Sequence, residues 1–226
     1  FTGHWSEGRG QPRDEMTNLR ESLDLEHPPC TIECFDVSHV SGTFVVASMV
    51  KFLSGKPHKR GYLRFKIRGF EGNDDFRAME EIIGRRYGRL LRENSRFPDL
   101  VVVDGGAAQV TAAALAFESL GCRPPPLIGL AKREETIFFP DGRAELKLGR
   151  RDPGLRQLQR VRNEAHRFAN KFNADLRSKK IRESILDDFP GLGKIRKKAL
   201  LEHFGSIGKL KKAEERELRE VEGIGP

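Results

Sequence analysis

Two aspartates stand where a carboxylate is costly. Asp36 falls within the β-rich run Thr31–Val37 (TIECFDV), and Asp104 follows the apolar Leu100–Val103. Strand alternation puts Ile32, Cys34 and Asp36 on one face and Glu33, Phe35 and Val37 on the other. A charged group flanking a core is unfavourable unless it is paired or bound to a cation. Alone, each aspartate reads as a strand-ending residue that caps the turn after it. Together, at carboxyl strand ends where ligands gather in α/β sheets, they suit one divalent cation that relieves their repulsion. That requires the two strands to be neighbours. His166 sits one position past the apolar Ala165, at the edge of a helical stripe beside Arg162, Asn163 and Asn170. A lone histidine there is ordinarily packed or solvated, and it joins the acids only if its helix crosses the strand ends. Asp74 and Asp75 open a helix, where an N-cap and a first-turn acid are favoured on local grounds. Gly105-Gly106 is not a P-loop, because no Gly-Lys-Ser/Thr follows; it is a tight strand-to-helix turn.

The elements that must position these groups can be read from periodicity. Residues 1–29 are polar and end in His27-Pro28-Pro29, a lead-in segment with one helix near Met16–Leu25. Thr31–Val37, Thr43–Phe52 and Gly61–Arg68 are β-rich and separated by short turns, which predicts an antiparallel meander. Phe76, Met79, Ile83, Tyr87 and Leu91 recur at helical spacing behind Asn73 or Asp74 as N-cap. Leu100–Val103 is a short strand, residues 107–120 a second helix, and Leu127–Ala131 another strand. Ile137–Phe139 and Ala144–Leu148 form a β excursion around Pro140-Asp141-Gly142. A third helix runs from Asp152 or Pro153 to about Ala174, with Leu155, Leu158, Val161, Ala165, Phe168 and Phe172 on its buried side. The order β-β-β-α-β-α-β-α predicts a mixed α/β sheet over residues 30–177, antiparallel strands first and parallel strands with crossover helices after.

Residues 178–226 are of another kind. Helix Ile181–Phe189, then Pro190-Gly191-Leu192-Gly193, then a helix to Phe204-Gly205 make one helix–turn–helix unit. A helix over Ala213–Val221 followed by Glu222-Gly223-Ile224-Gly225-Pro226 begins a second unit, which the chain end cuts short. Glycine pairs permit a tight backbone turn, and the following helix presents free N–H groups to a phosphate. Gly191, Gly193, Lys194, Arg196 and Lys197 in the first unit, and Gly223 and Gly225 in the second, are therefore candidate DNA contacts.

Charge agrees with that partner. Lys and Arg total 41 against 33 acids among 226 residues, a formal net of +8. Between Arg150 and Arg182 stand eleven Lys and Arg against three acids, so this one segment carries an excess equal to that of the whole chain. Such concentration favours a polyanion, since released counterions drive association with phosphate, and Arg162 within it is a further candidate DNA contact. No apolar run approaches the ~20 residues that span a bilayer. The three cysteines, Cys30, Cys34 and Cys122, are too scattered for a disulfide framework or a zinc site, which points to a reducing cytoplasm. The chain starts at Phe1, read as a boundary within a longer protein.

At this point the motifs form a pattern. Ile32-Glu33-Cys34-Phe35-Asp36-Val37-Ser38-His39, Gly72-Asn73-Asp74-Asp75-Phe76, Val103-Asp104-Gly105-Gly106 with Gln109, and Arg162-Asn163-Glu164-Ala165-His166, in that order, resemble the UvrC family. The resemblance runs from about Cys30 to the end of the chain. It implies the carboxy-terminal half of such a protein: an RNase H-like endonuclease domain followed by a small all-α domain of tandem helix-hairpin-helix motifs. The family's catalytic groups would map onto Asp36, Asp104 and His166. A further functional aspartate maps onto Asp75, with Asp74 the competing register.

The resemblance further implies hydrolysis of one phosphodiester on the 5′ side of a lesion in double-stranded DNA, during bacterial nucleotide excision repair. UvrB would be the partner, and UvrA would act upstream. The 3′ incision domain and the UvrB-docking linker of the family are not in this sequence. With the second hairpin cut short, poor cutting by this segment alone is the expectation. Asp36, Asp104 and His166 would hold Mg²⁺ or Mn²⁺, with His166 either a weak second-metal ligand or a general acid/base. Two other readings stay open here. One is an endonuclease V-like enzyme, which shares the first-strand aspartate and the Val-Asp-Gly turn but not the hairpins. The other is a non-catalytic DNA scaffold with a degenerate core.

Overall fold

Four apolar residues in a row, Leu100–Val103, are all fully buried, and the sheet is built outward from them. The computed structural model describes residues 12–40, 44–67, 74–187 and 193–224. The chain separates into two units, residues 1–173 and 174–226. In the first, β1 (Thr31–Val40), β2 (Phe44–Leu53), β3 (Lys56–Pro57), β4 (Leu63–Lys66), β5 (Leu100–Asp104), β6 (Leu127–Ala131), β7 (Thr136–Phe138) and β8 (Leu146–Lys147) form one sheet. Its order is β3-β2-β1-β5-β6-β7-β8, with β4 also paired to β2. β1 is antiparallel to β2 and parallel to β5, β6 is parallel to β5, and β7 and β8 return antiparallel.

The mixed sheet is thus the one the element order predicts. A run buried on both faces is what a central parallel strand requires. Helices α2 (Asp75–Arg92) and α3 (Ala107–Ser119) are the crossovers that parallel pairing demands. They cover one face, packing on Phe35, Met49, Val101 and Val103. Helices α1 (Pro12–Ser22) and α4 (Pro153–Asp187) supply residues to the core on the other face, with Ile32, Cys34, Val50, Leu100 and Val102.

Three expectations need correction. The first stretch is not merely a lead-in: Met16, Leu19 and Leu23 are buried in the core, and the Asn18 side chain accepts a hydrogen bond from Gly154 N–H at 2.8 Å. The helix placed up to about Ala174 and the one placed at Ile181–Phe189 are a single helix through Asp187. Nothing between them breaks helical geometry, since residues 175–187 contain neither Gly nor Pro. In α2, Leu90 faces the core and Leu91 is exposed, because three residues on from Tyr87 returns to the buried stripe.

The second unit contains α5 (Lys194–Phe204), α6 (Ile207–Leu210) and α7 (Glu215–Arg219). Gly193 is the N-cap residue of α5, and Gly205 ends it in left-handed geometry at φ 69°. Leu200 and Val221 are the buried apolar side chains described in this unit. No described helix is long and apolar enough to cross a membrane.

Candidate active site

The parallel register pairs Cys34 with Val102 and Phe35 with Val103, which brings Asp36 beside Asp104. Asp104 ends β5 as expected, but Asp36 does not end its strand, because β1 stays paired with β2 as far as Val40. Both follow the residues of their strands that face α4. Along α4, Leu158, Val161 and Ala165 pack into the same cluster as Ile32, Cys34 and Val102. His166, the next residue, therefore arrives over the two acids. Its Nδ1 lies 3.3 Å from Oδ2 of Asp36. One ligand atom from each of Asp36, Asp104 and His166 lies within 4.8 Å of the others, so three residues far apart in sequence converge. The site grades from floor to rim: Asp36 is 5% exposed, Asp104 intermediate, and the His166 side chain 53% exposed.

Several contacts fix α4 at this register. Ser48 pairs with Asp36 across β1 and β2, is fully buried, and donates its hydroxyl to the carbonyl of Ala165 at 3.2 Å. Tyr62 donates to Glu164 Oε1 at 2.9 Å, and Arg167 closes on the same carboxylate. Arg64 lies over the rings of Phe168 and Phe172 at 4.9 and 4.8 Å. Of these, Ser48 is the closest support for His166. Ser48→Ala is expected to cost about 1 kcal/mol of stability, and urea unfolding checks this; an unchanged unfolding free energy would remove Ser48 as a support of α4.

On the strand-to-helix turn after Asp104, Gly106 N–H donates to Gln109 Oε1 at 3.2 Å. Gly129 on β6 lets this turn close down, because a Cβ there would stand 2.8 Å from the Gly105 carbonyl oxygen. Asp74 and Asp75 divide the labour at α2. Asp74 is the N-cap, accepting from Arg77 N–H at 3.0 Å, and Asp75 is the first helical residue. Asp75 acts on Asp36 through its charge but is not one of the three clustered ligands.

Burial shapes the acids. It is the largest effect pushing the Asp36 carboxyl up, to about 6, and the Asp104 charge adds to it while His166 opposes both. Asp104 is also raised, again by burial, against the opposing charges of Arg162, His166 and Lys132. Buried Oδ2 of Asp36 forms no well-aligned hydrogen bond with any described residue. Two raised carboxylates, one holding such an oxygen, with an imidazole beside them, form a donor set that fits a hard divalent cation.

The expected DNA contacts are placed as follows. Arg162 is 6% exposed, and its guanidinium is taken up by Glu135 rather than presented at the surface. Its position on the buried side of α4 explains the difference. Arg196 is exposed on α5 and Lys197 half-buried, Gly193 is the N-cap residue, and Gly223 holds φ 82°. Gly191, Gly225 and the Lys194 side chain lie outside the described residues. Sequence reasoning missed Ser48, Lys132 and Glu135. A buried hydroxyl opposite Asp36 was findable from strand pairing, but the β6–β7 loop carries no motif.

A family model described as the UvrC RNase H endonuclease domain matches residues 20–170. The UvrABC system protein C of Parafrankia sp. (strain EAN1pec) is 44% identical over 243 residues, covering 93% of this chain. That of Porphyromonas gingivalis (strain ATCC BAA-308 / W83) is 46% identical over 206 residues, 91% of this chain. The chain spans about a third of the length of these relatives, 35% and 34%. Among solved structures, human ENDOV aligns at TM-score 0.36 and 14% identity over 54% of this chain and 58% of its own. An inosine-DNA complex of Ciona intestinalis endonuclease V aligns at 0.35 and 19%, over 53% and 56%. At these scores the structural likeness carries no argument. The family model and the identity along nearly the whole chain decide the matter: the chain belongs to the UvrC family.

Proposed function

We propose that this chain is the part of a UvrC protein that makes the 5′ incision beside a DNA lesion, by metal-dependent phosphodiester hydrolysis in bacterial nucleotide excision repair. The observation that supports it most is the convergence of Asp36, Asp104 and His166 within 4.8 Å at one rim of the sheet. These three would hold Mg²⁺ or Mn²⁺. When bound, the ion lowers the pKa of the attacking water and offsets charge developing on the phosphate. Asp36, buried, forms the floor of the site. Ser48 and the contacts around Glu164 hold α4 in register. With His166 Nδ1 facing Asp36 Oδ2, Nε2 is the nitrogen free to take or give a proton. Asp75 tunes the site through charge.

The second unit we read as the DNA-binding helix-hairpin-helix domain, supported by the glycine-capped basic helix α5 and the left-handed Gly223. UvrB is the proposed partner at the lesion, with UvrA upstream, in the cytoplasm. The test uses the full-length protein with UvrB on a lesion duplex already cut on the 3′ side. Cleavage that appears with Mg²⁺ or Mn²⁺ and vanishes with chelator supports the reading. Cleavage undiminished by chelator overturns it.

A separate expectation concerns α5. Arg196→Ala/Lys197→Ala should weaken DNA binding evenly across sequences. It should also flatten the plot of log affinity against log salt by about 1–2, since each lost phosphate contact removes about 0.9. An unchanged slope would exclude α5 from the DNA surface.

A further inference from the structure

The loop between β6 and β7, residues 132–135, lies beside Asp104, because β6 runs parallel to β5 with Leu130 opposite Asp104. Glu134 and Glu135 both hold left-handed backbone, at φ 63° and 54°. Non-glycine residues keep such a conformation where their surroundings tie them down. Arg162 is what ties Glu135. Its Nη1 meets Oε2, and its Nη2 meets Oε1 at 3.0 Å. Arg162 stands one helical turn before His166 on the same side of α4, with its side chain almost closed off from water. Among the charges that favour ionised Asp104, that of Arg162 is the strongest, and Glu135 acts in the opposite sense. Two carboxylates thus feel the same buried guanidinium, and one of them holds it. The carboxylate of Asp104 makes no hydrogen bond or ion pair with a described residue.

We propose that Glu135 is a positioning residue for the cation site: by engaging Arg162 it keeps that guanidinium from pairing with Asp104, whose carboxylate stays open to a divalent cation. The inference rests on the metal-dependent reading above. A forked arginine–carboxylate pair is strong and geometrically specific. Such a pair formed at Asp104 would compete with the cation for the same oxygens.

The test titrates Mn²⁺ into the 226-residue chain and reads the free ion by electron paramagnetic resonance, with no DNA present. Glu135→Gln is expected to bind Mn²⁺ about 10- to 100-fold more weakly than wild type, the usual effect of losing a group that supports ligands from behind. Glu135→Gln/Arg162→Met should recover most of that loss, because the competitor is gone. Arg162→Met alone should bind at wild-type strength or tighter, which keeps the test sharp even where Glu135→Gln folds poorly. Three results overturn the proposal: wild-type binding by Glu135→Gln, a double variant no tighter than the single, or weaker binding by Arg162→Met. A wild-type chain that binds no Mn²⁺ overturns the metal reading itself, and this inference with it.

Discussion

Asp36→Ala and Asp104→Ala are each expected to slow strand cleavage by about 10³-fold or more, while DNA binding stays near wild type. The magnitude follows from the role. A cation held at the reacting phosphate supplies several kcal/mol of charge stabilisation, and each 1.36 kcal/mol is a factor of ten in rate. Removing one of two carboxylates that stand side by side on neighbouring strands leaves too few hard donors to hold the ion in place. DNA binding should be spared, because on the proposed reading it rests on basic groups elsewhere, the exposed Arg196 among them. His166→Ala should fall by about 10²- to 10⁴-fold if its imidazole transfers a proton, and added imidazole should then restore part of the rate. Rescue that fails, with Mn²⁺ affinity reduced, would make His166 a ligand first. Single-turnover cleavage with UvrB in the full-length protein, beside filter binding of the same DNA, measures all three. Wild-type cutting by any of the variants removes that residue from the chemistry.

Much of this site is legible in the sequence. Strand alternation correctly places Asp36 on the face of Ile32 and Cys34, because a period of two leaves no freedom once those neighbours are buried. The condition attached to His166, that its helix cross the strand ends that carry the acids, is met at the end of β5 but not of β1, where Asp36 lies within the strand. Ala165, locked into the core one residue earlier, brings His166 there. Other features are hidden because they depend on partners distant in sequence. Glu33 reads as a strand residue of the opposite face, yet it is 1% exposed and carries an ion pair with Arg86 at 2.5 Å and a hydrogen bond from Tyr87 at 3.0 Å. No local pattern announces a buried carboxylate whose partners lie over fifty residues away. The pairing of Arg162 with Glu135 is invisible for the same reason. A count of positive residues treats each arginine as surface, whereas burial decides which ones are spent internally.

The remaining large effect is on stability, and its sign runs against intuition. Asp36→Asn, expected to be inactive, should be more stable than wild type by about 3 kcal/mol at pH 7.5 in the presence of chelator. The Asp36 carboxyl is raised from 3.8 to about 6 by burial and by the Asp104 charge. Each tenfold change in proton affinity is worth about 1.36 kcal/mol, so ionised Asp36 opposes folding by about 3 kcal/mol. Because the folded value is the higher one, the folded state holds the proton more tightly. The associated stability is complete below pH 3.8, declines as pH rises, and is gone above about 6. Asparagine carries no such charge, so the gap between variant and wild type should be wide at pH 7.5 and much narrower at pH 4.5. A bound divalent cation offsets the same repulsion. Millimolar Mn²⁺ should therefore raise the melting temperature of wild type but hardly move that of Asp36→Asn. Urea unfolding at the two pH values, and melts with and without Mn²⁺, give the four numbers needed. An Asp36→Asn chain less stable than wild type at pH 7.5 would show that Asp36 is held by contacts that favour its charge. The site would then be a structural ion pair rather than a strained cradle for a metal.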